Sequence, residues 1–207
     1  MGLQPIAAPL FTAVPLAWGV PPGSWDAVVM TSAQAARLGG KELRALAAAP
    51  VWVVGDGTAE AALQAGFADV RTAGPDVAGL FAALRESGAR RVLRLAGREH
   101  MPTPPFPGEV ITLPVYAAEA AECLPEPALG ALARGATVLL HSPRAARVLR
   151  ALANDARATL AKSAAVAISP AAARAAGKGW RAVHAAAEPT DAALLALAAR
   201  LCDTGAR

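Results

Sequence analysis

Ala27-Val28-Val29-Met30-Thr31-Ser32-Ala33-Gln34-Ala35-Ala36-Arg37 is answered further along by Thr137-Val138-Leu139-Leu140-His141-Ser142-Pro143-Arg144-Ala145-Ala146-Arg147. Each copy is a short apolar run, a hydroxyl residue suited to cap a helix, and an alanine-rich stretch ending in arginine. The register persists downstream with a small drift. Val51-Trp52-Val53-Val54-Gly55 leads to a helix start at Thr58, and Ala164-Ala165-Val166-Ala167-Ile168 leads to Ser169. Gly66-Phe67-Ala68-Asp69-Val70 is echoed by Gly179-Trp180-Arg181-Ala182-Val183, and Asp76 before an apolar helix by Thr190 before another. A repeat on this scale predicts two similar domains, with a ligand between them, because domain interfaces are favoured binding sites.

The wider pattern is apolar runs of four to six residues alternating with alanine-rich helical stretches. That is the signature of parallel sheets covered by helices. Strands are expected near Gln4–Ala8, Ala27–Met30, Val51–Val54, Val70–Thr72, Arg91–Leu95, Val110–Tyr116, Thr137–Leu140, Ala164–Ile168 and Ala182–His184. Helices are expected near Ala33–Leu38, Glu42–Ala48, Thr58–Ala65, Val77–Glu86, Pro127–Ala133, Ala145–Asn154, Ala171–Ala176 and Asp191–Leu201. Two proline-bearing apolar stretches, Thr12–Leu16 and Ile111–Tyr116, flank the first copy and read as crossings paired in a short ladder. The expected architecture is therefore α/β: two flavodoxin-like or Rossmann-like domains on a two-stranded linker, the second domain inserted in the first. The boundaries are 1–13 with 118–207 for the discontinuous domain, 18–110 for the insert, and 14–17 and 111–117 for the linkers. Ligands of such domains bind at the carboxyl ends of the strands.

Composition narrows the function. The 207 residues are 55% hydrophobic and carry a formal net charge of +4. A mild, scattered positive charge suits an acidic ligand, and no basic run interleaved with aromatics points to nucleic acid. No stretch reaches the roughly 18 to 20 apolar residues of a membrane helix. Met1-Gly2-Leu3-Gln4-Pro5 has no basic region of the signal-peptide kind. Cys123 and Cys202 form no paired motif, so a reduced, cytoplasmic setting is expected.

The chemistry sits at strand ends. Thr31-Ser32, Gly55-Asp56-Gly57-Thr58, Ala96-Gly97-Arg98, His141-Ser142-Pro143, Ser169-Pro170 and Pro189-Thr190 each read as the end of an apolar strand with a helix beginning at once. Free N–H groups and the positive end of the helix dipole suit such places to carboxylates or phosphates. The plainer reading is ordinary N-capping, worth about 1 kcal/mol each. Arg98 and Arg144 have two readings, carboxylate partners or solvated surface residues. Tyr116, the single tyrosine, lies on the second crossing. It reads equally as a hydrogen-bond donor to a departing or developing oxygen and as a packing residue. His100, His141 and His184 lie far apart, and no metal-ligand spacing is present. Gly55-Asp56-Gly57 opens like a dinucleotide fingerprint but lacks the last glycine. A nucleotide-binding enzyme rests on that tripeptide alone.

The ordered set Ala27–Ala33, Val53–Ala59, Val115-Tyr116, Leu140–Pro143 and Glu188–Thr190 resembles the uroporphyrinogen-III synthase family over nearly the whole chain. The resemblance implies a hydro-lyase of tetrapyrrole (haem, chlorophyll, cobalamin) biosynthesis. Such an enzyme cyclises hydroxymethylbilane to uroporphyrinogen III with inversion of ring D and loss of water, through a spiro-pyrrolenine intermediate. It implies no metal or organic cofactor, a monomer, and transient contact with hydroxymethylbilane synthase. It implies that Tyr116 helps the hydroxyl leave, and that Thr31, Ser32, Thr58, Gly97, Arg98, Ser142, Pro143, Arg144, Ser169 and Thr190 bind substrate. Two departures stand out. The family's opening strand, its Thr-Arg-Pro-like turn and the helix after it are expected to be missing, which should expose neighbouring sheet edges. The prolines of His100–Pro107 forbid a helix that relatives often have there. The alternative reading is a truncated relative that binds an acidic tetrapyrrole or other polyanion without turnover.

Overall fold

The computed structural model describes residues 4–204, which divide into two compact units, residues 13–119 and the segments up to 12 and from 120 onward. In the first unit, β2 (Ala27–Met30), β3 (Val51–Val53), β4 (Val70–Thr72), β5 (Arg91–Gly97) and β6 (Glu109–Ala120) form one sheet with β1 (Phe11–Pro15), in the order β1-β6-β5-β2-β3-β4. Strands β2 to β6 pair in parallel, and as first to fifth they stand 3-2-1-4-5, a doubly wound order. β2 is central and fully buried, so its two faces serve two cores. Val28 and Met30 pack with Leu93, Leu95, Val51 and Val53 beneath α1 (Ala33–Leu38) and α2 (Asp56–Gln64). Ala27 and Val29 pack with Val92, Leu80, Phe81 and Leu84 beneath α3 (Val77–Glu86). The period-2 alternation of a strand makes this split from one unbroken apolar run.

No helix links β5 to the parallel β6. Residues 98–108 cross the sheet as an extended strap holding Pro102, Pro104, Pro105 and Pro107. Parallel neighbours are normally joined through a helix, so the strap must cover the sheet face instead. Phe106 stands edge-on to Phe81, with centroids 5.8 Å apart, and Arg85 Nη1 donates to Pro105 O (3.1 Å). Arg94, only 2% exposed, reaches up from β5 to donate through Nη1 to Met101 O (3.0 Å) and Thr103 Oγ1 (2.9 Å). Burial pushes its pKa below the usual arginine value.

The second unit carries β7 (Thr137–Leu140), β8 (Ala164–Ala167) and β9 (Ala182–Ala185), parallel and in that order, with α4 (Glu126–Arg134), α5 (Pro143–Asp155), α6 (Pro170–Ala176) and α7 (Asp191–Thr204). Central β8 is fully buried and mostly alanine, which brings the covering helices close. Ala165 and Ala167 meet Leu149, Leu152, Ala172 and Ala176 on one face, and Val166 meets Leu194 and Ala198 on the other. Ser163 ties the strand starts together: its Oγ donates to Leu132 O (3.0 Å) and accepts from Ala136 N (3.1 Å). β7, the repeat partner of β2, has no strand on its outer side among the described residues. That side opens on a cavity of about 720 Å³, bounded by Ile6 and Leu10, Val138 and Leu140, and Leu195 and Ala198.

Three expectations need correction. No strand forms at Gln4–Ala8, where Pro5 supplies no N–H. Glu42–Ala48 is not an α-helix but part of a 3₁₀ helix over Gly40–Leu46, squeezed between Gly39-Gly40 and Pro50. The helix expected from Thr58 begins at Asp56, after Gly55 at φ +76°. β1 lies beside β6, with Leu16 N donating to Val115 O (3.0 Å) and Ala121 N to Leu10 O (2.9 Å), an antiparallel pairing.

Two substitutions test this packing. Ser163→Ala strands the half-buried N–H of Ala136 and is expected to cost about 1 kcal/mol in chemical denaturation. Asp26 Oδ2 accepts from the backbone N–H of Arg90 and Arg91, both at 2.8 Å, and those bonds hold its carboxyl below the usual aspartate range. A lowered pKa gives stability that is present above the unfolded value and lost as pH falls through the folded one. The stability gap between the native chain and Asp26→Asn is therefore expected at neutral pH and to close in acid. A gap independent of pH would contradict it.

Candidate functional site

In a doubly wound sheet the crevice lies where the strand order reverses, between β2 and β5 here. The chain leaves β2 toward α1 on one face, and leaves β5 into the strap on the other. Met30 pairs with Leu95, so Ser32 and Gly97 stand each two residues beyond that pair, on either side of the crevice. Ser32 Oγ accepts from Gln34 N (3.3 Å) and caps α1; Thr31 precedes it, half-buried. Thr58 does not join them. It is 8% exposed within the first turn of α2, so its hydroxyl is turned away from solvent.

Tyr116 reaches this crevice through an irregularity. The β5–β6 register runs Leu95↔Leu113 and Ala96↔Pro114, then skips Val115 to pair Gly97 with Tyr116. Pro114 has no N–H to continue the ladder. Val115 and Tyr116 consequently both turn to the same core, Val115 fully buried and Tyr116 partly so. Arg98 N donates to Tyr116 O (2.8 Å) and locks the shifted register. His100 Nδ1 lies 2.8 Å from Gly97 O; a carbonyl only accepts, so Nδ1 carries a proton. Arg98 Nη1 meets Glu119 Oε1 at 2.9 Å, both half exposed, so a ligand carboxylate would share the guanidinium with Glu119. His100, Glu119 and the skipped residue escaped sequence reasoning. Pro114 beside Val115 was the only signal of the last.

In the other unit, three strand ends are built alike. Ser142 caps α5 through Ala145 N (3.0 Å), Ser169 caps α6 through Ala172 N (3.3 Å), and Thr190 Oγ1 accepts from Ala193 N (3.2 Å) at the start of α7. Pro143 and Pro170 fill the first helical positions, where a missing N–H costs nothing. Each capping hydroxyl still has its own proton to donate, beside the positive end of a helix. Together these ends suit carboxylates. His141 Nε2 lies 3.5 Å from Asp191 Oδ1, joining the end of β7 to the start of α7. The Arg144 guanidinium stacks 4.6 Å above the Phe11 ring. Among the described residues no cluster of three or more His, Cys, Asp or Glu is placed to hold a metal.

Comparison with known proteins adds the family. The family model described as uroporphyrinogen-III synthase HemD matches residues 1–196. The fold is similar to that of uroporphyrinogen-III synthetase from Helicobacter pylori 26695, at 17% identity and a TM-score of 0.63, over 93% of this chain and 91% of that one. Uroporphyrinogen III synthase from the extremely thermophilic bacterium Thermus thermophilus matches at 19% identity and a TM-score of 0.39, over 95% and 88% of the two chains. No curated protein matches the chain.

The caps are separable from the chemistry. Ser142→Ala is expected to lower stability by about 1 kcal/mol, and Ser142→Gly by only a few tenths. A loss from both well beyond about 1 kcal/mol would show that Ser142 Oγ does more than cap α5.

Proposed function

The chain belongs to the uroporphyrinogen-III synthase family, and on that premise we propose that it is itself the hydro-lyase that cyclises hydroxymethylbilane to uroporphyrinogen III. The observation that carries this reading is the family match, which runs through every strand of both sheets. Supporting it are a net charge of +4 against a substrate rich in acetate and propionate groups, and hydroxyl-capped strand ends in each unit.

The linear tetrapyrrole loses the hydroxyl of its hydroxymethyl end, and the last ring is joined in reversed orientation, passing through a spiro-pyrrolenine. Water leaves, and no redox change occurs. The pyrroles are reactive by themselves, so the enzyme's task is to fold the chain for the reversed closure, which is catalysis by orientation. In this reading Thr31, Ser32, Gly97, Arg98, Ser142, Pro143, Arg144, Ser169 and Thr190 hold carboxylates, with backbone N–H groups taking most of the charge. Thr58 contributes through the backbone of its helix start. Tyr116 donates its hydroxyl proton in a hydrogen bond to the departing oxygen. The reading takes 18–110 as the inserted domain, 1–13 with 118–207 as the discontinuous one, and 14–17 and 111–117 as linkers. The enzyme then works as a cytoplasmic monomer without a cofactor, receiving its unstable substrate through brief contact with hydroxymethylbilane synthase. Among the described residues no helix is long and apolar enough to cross a membrane.

Purified protein supplied with freshly generated hydroxymethylbilane is expected to yield the type III isomer. Type I alone, the spontaneous product, would refute catalysis. Tyr116→Phe is expected to slow turnover on the order of 10²-fold with nearly unchanged thermal unfolding. Equal rates would return Tyr116 to a packing role.

A further inference from the structure

We infer that Gly97 is a positioning residue for Tyr116: its missing side chain is the space in which the phenol lies. The inference rests on the reading of Tyr116 given above, and deepens it. Gly97 ends β5 on the face that carries Leu93 and Leu95, and the skipped Val115 brings Tyr116 directly opposite. A Cβ built on Gly97 would stand 2.9 Å from Tyr116 Cζ and 3.0 Å from both Cε2 and Oη. All three distances lie well inside carbon–carbon or carbon–oxygen van der Waals contact.

This is a requirement for space, not for backbone freedom. Gly97 does not have a positive φ, whereas Gly55, just before α2, does, at +76°, and has nothing within 4 Å of its absent Cβ. An alanine at position 97 therefore fits the strand but not the ring. The atoms in its way are the far end of a side chain that turns about two bonds, so the ring yields before the sheet does. Two constraints thus aim the phenol. The skipped residue after Pro114 sets the direction of the side chain, and Gly97 sets how closely the ring lies along the crevice floor. Among the described residues the Tyr116 hydroxyl makes no hydrogen bond of its own to hold it there, so contact with Gly97 is what fixes its depth. A shift of about 1 Å in a group that acts on the reacting atoms can cost 10²-fold in rate.

The test uses the fact that Tyr116 is the single tyrosine in the chain. Tyrosine labelled with ¹³C at Cζ gives one resonance. In Gly97→Ala that resonance is expected to move and kcat to fall on the order of 10-fold or more. Added to Tyr116→Phe, the same substitution is expected to cost little further rate. An unmoved resonance, or an equal rate loss in the Tyr116→Phe background, overturns the inference. Should Gly97→Ala fail to fold, adding Tyr116→Ala must restore folding by removing the ring; failure of that double variant assigns the glycine to the backbone instead. If Tyr116→Phe turns over normally, the catalytic reading of Tyr116 fails, while the resonance still decides whether Gly97 seats the ring.

Discussion

A strand with a parallel neighbour on each side has neither a free edge nor a free face, and β2 meets that condition at every residue from Ala27 to Met30. Its apolar run is the consequence. With no polar side chain tolerated, the chain can turn polar only after Met30, and Thr31-Ser32 follows at once. The same condition fixes where function is possible. Parallel strands send their carboxyl ends to one edge of the sheet, so within this sheet Ser32 after β2 and Gly97 at the end of β5 come to the same edge, with Tyr116 paired opposite Gly97.

The two copies of the repeat answer this condition differently. β2 sits between β5 and β3, whereas β7 has β8 on one side and a cavity on the other. Burial follows position: β2 is closed throughout, and only Leu140 of β7 is. The capping chemistry is nonetheless the same, since Ser32 and Ser142 both turn Oγ back on the helix they precede. Local rules of strand end and helix start thus operate whatever the strand's rank in the sheet.

That separation explains what the chain discloses in advance. Ala27–Met30 and Thr137–Leu140 are readable because apolar runs between helix signals mean buried parallel strands. Ser32, Asp76, Ser142, Ser169 and Thr190 are readable because capping is a matter of a few adjacent residues, and each does accept a first-turn N–H. The edge position of β7 is a relation between distant segments and leaves no local mark. Arg94 interrupts the apolar run of β5 with a charge, yet the strap buries it, because neutral oxygens from Met101 and Thr103 substitute for water. The candidate site was legible as a set of strand ends. The seating of Tyr116 on Gly97 was not, because it depends on one skipped residue in a ladder that alternation alone would continue.

The division of the chain also sets an order of events. The segment up to residue 12 belongs with residues from 120 onward, and all of 13–119 lies between them in sequence. A ribosome completes the intervening unit before β7 has emerged, and domains generally fold as they are made. Leu10 therefore waits for Ala121, the residue whose N–H it accepts. Folding of residues 13–119 shortens that wait in space as well, because β1 and β6 become neighbours in one sheet. What would have been the closure of a loop longer than a hundred residues, with its entropic cost, becomes the continuation of a ladder already begun.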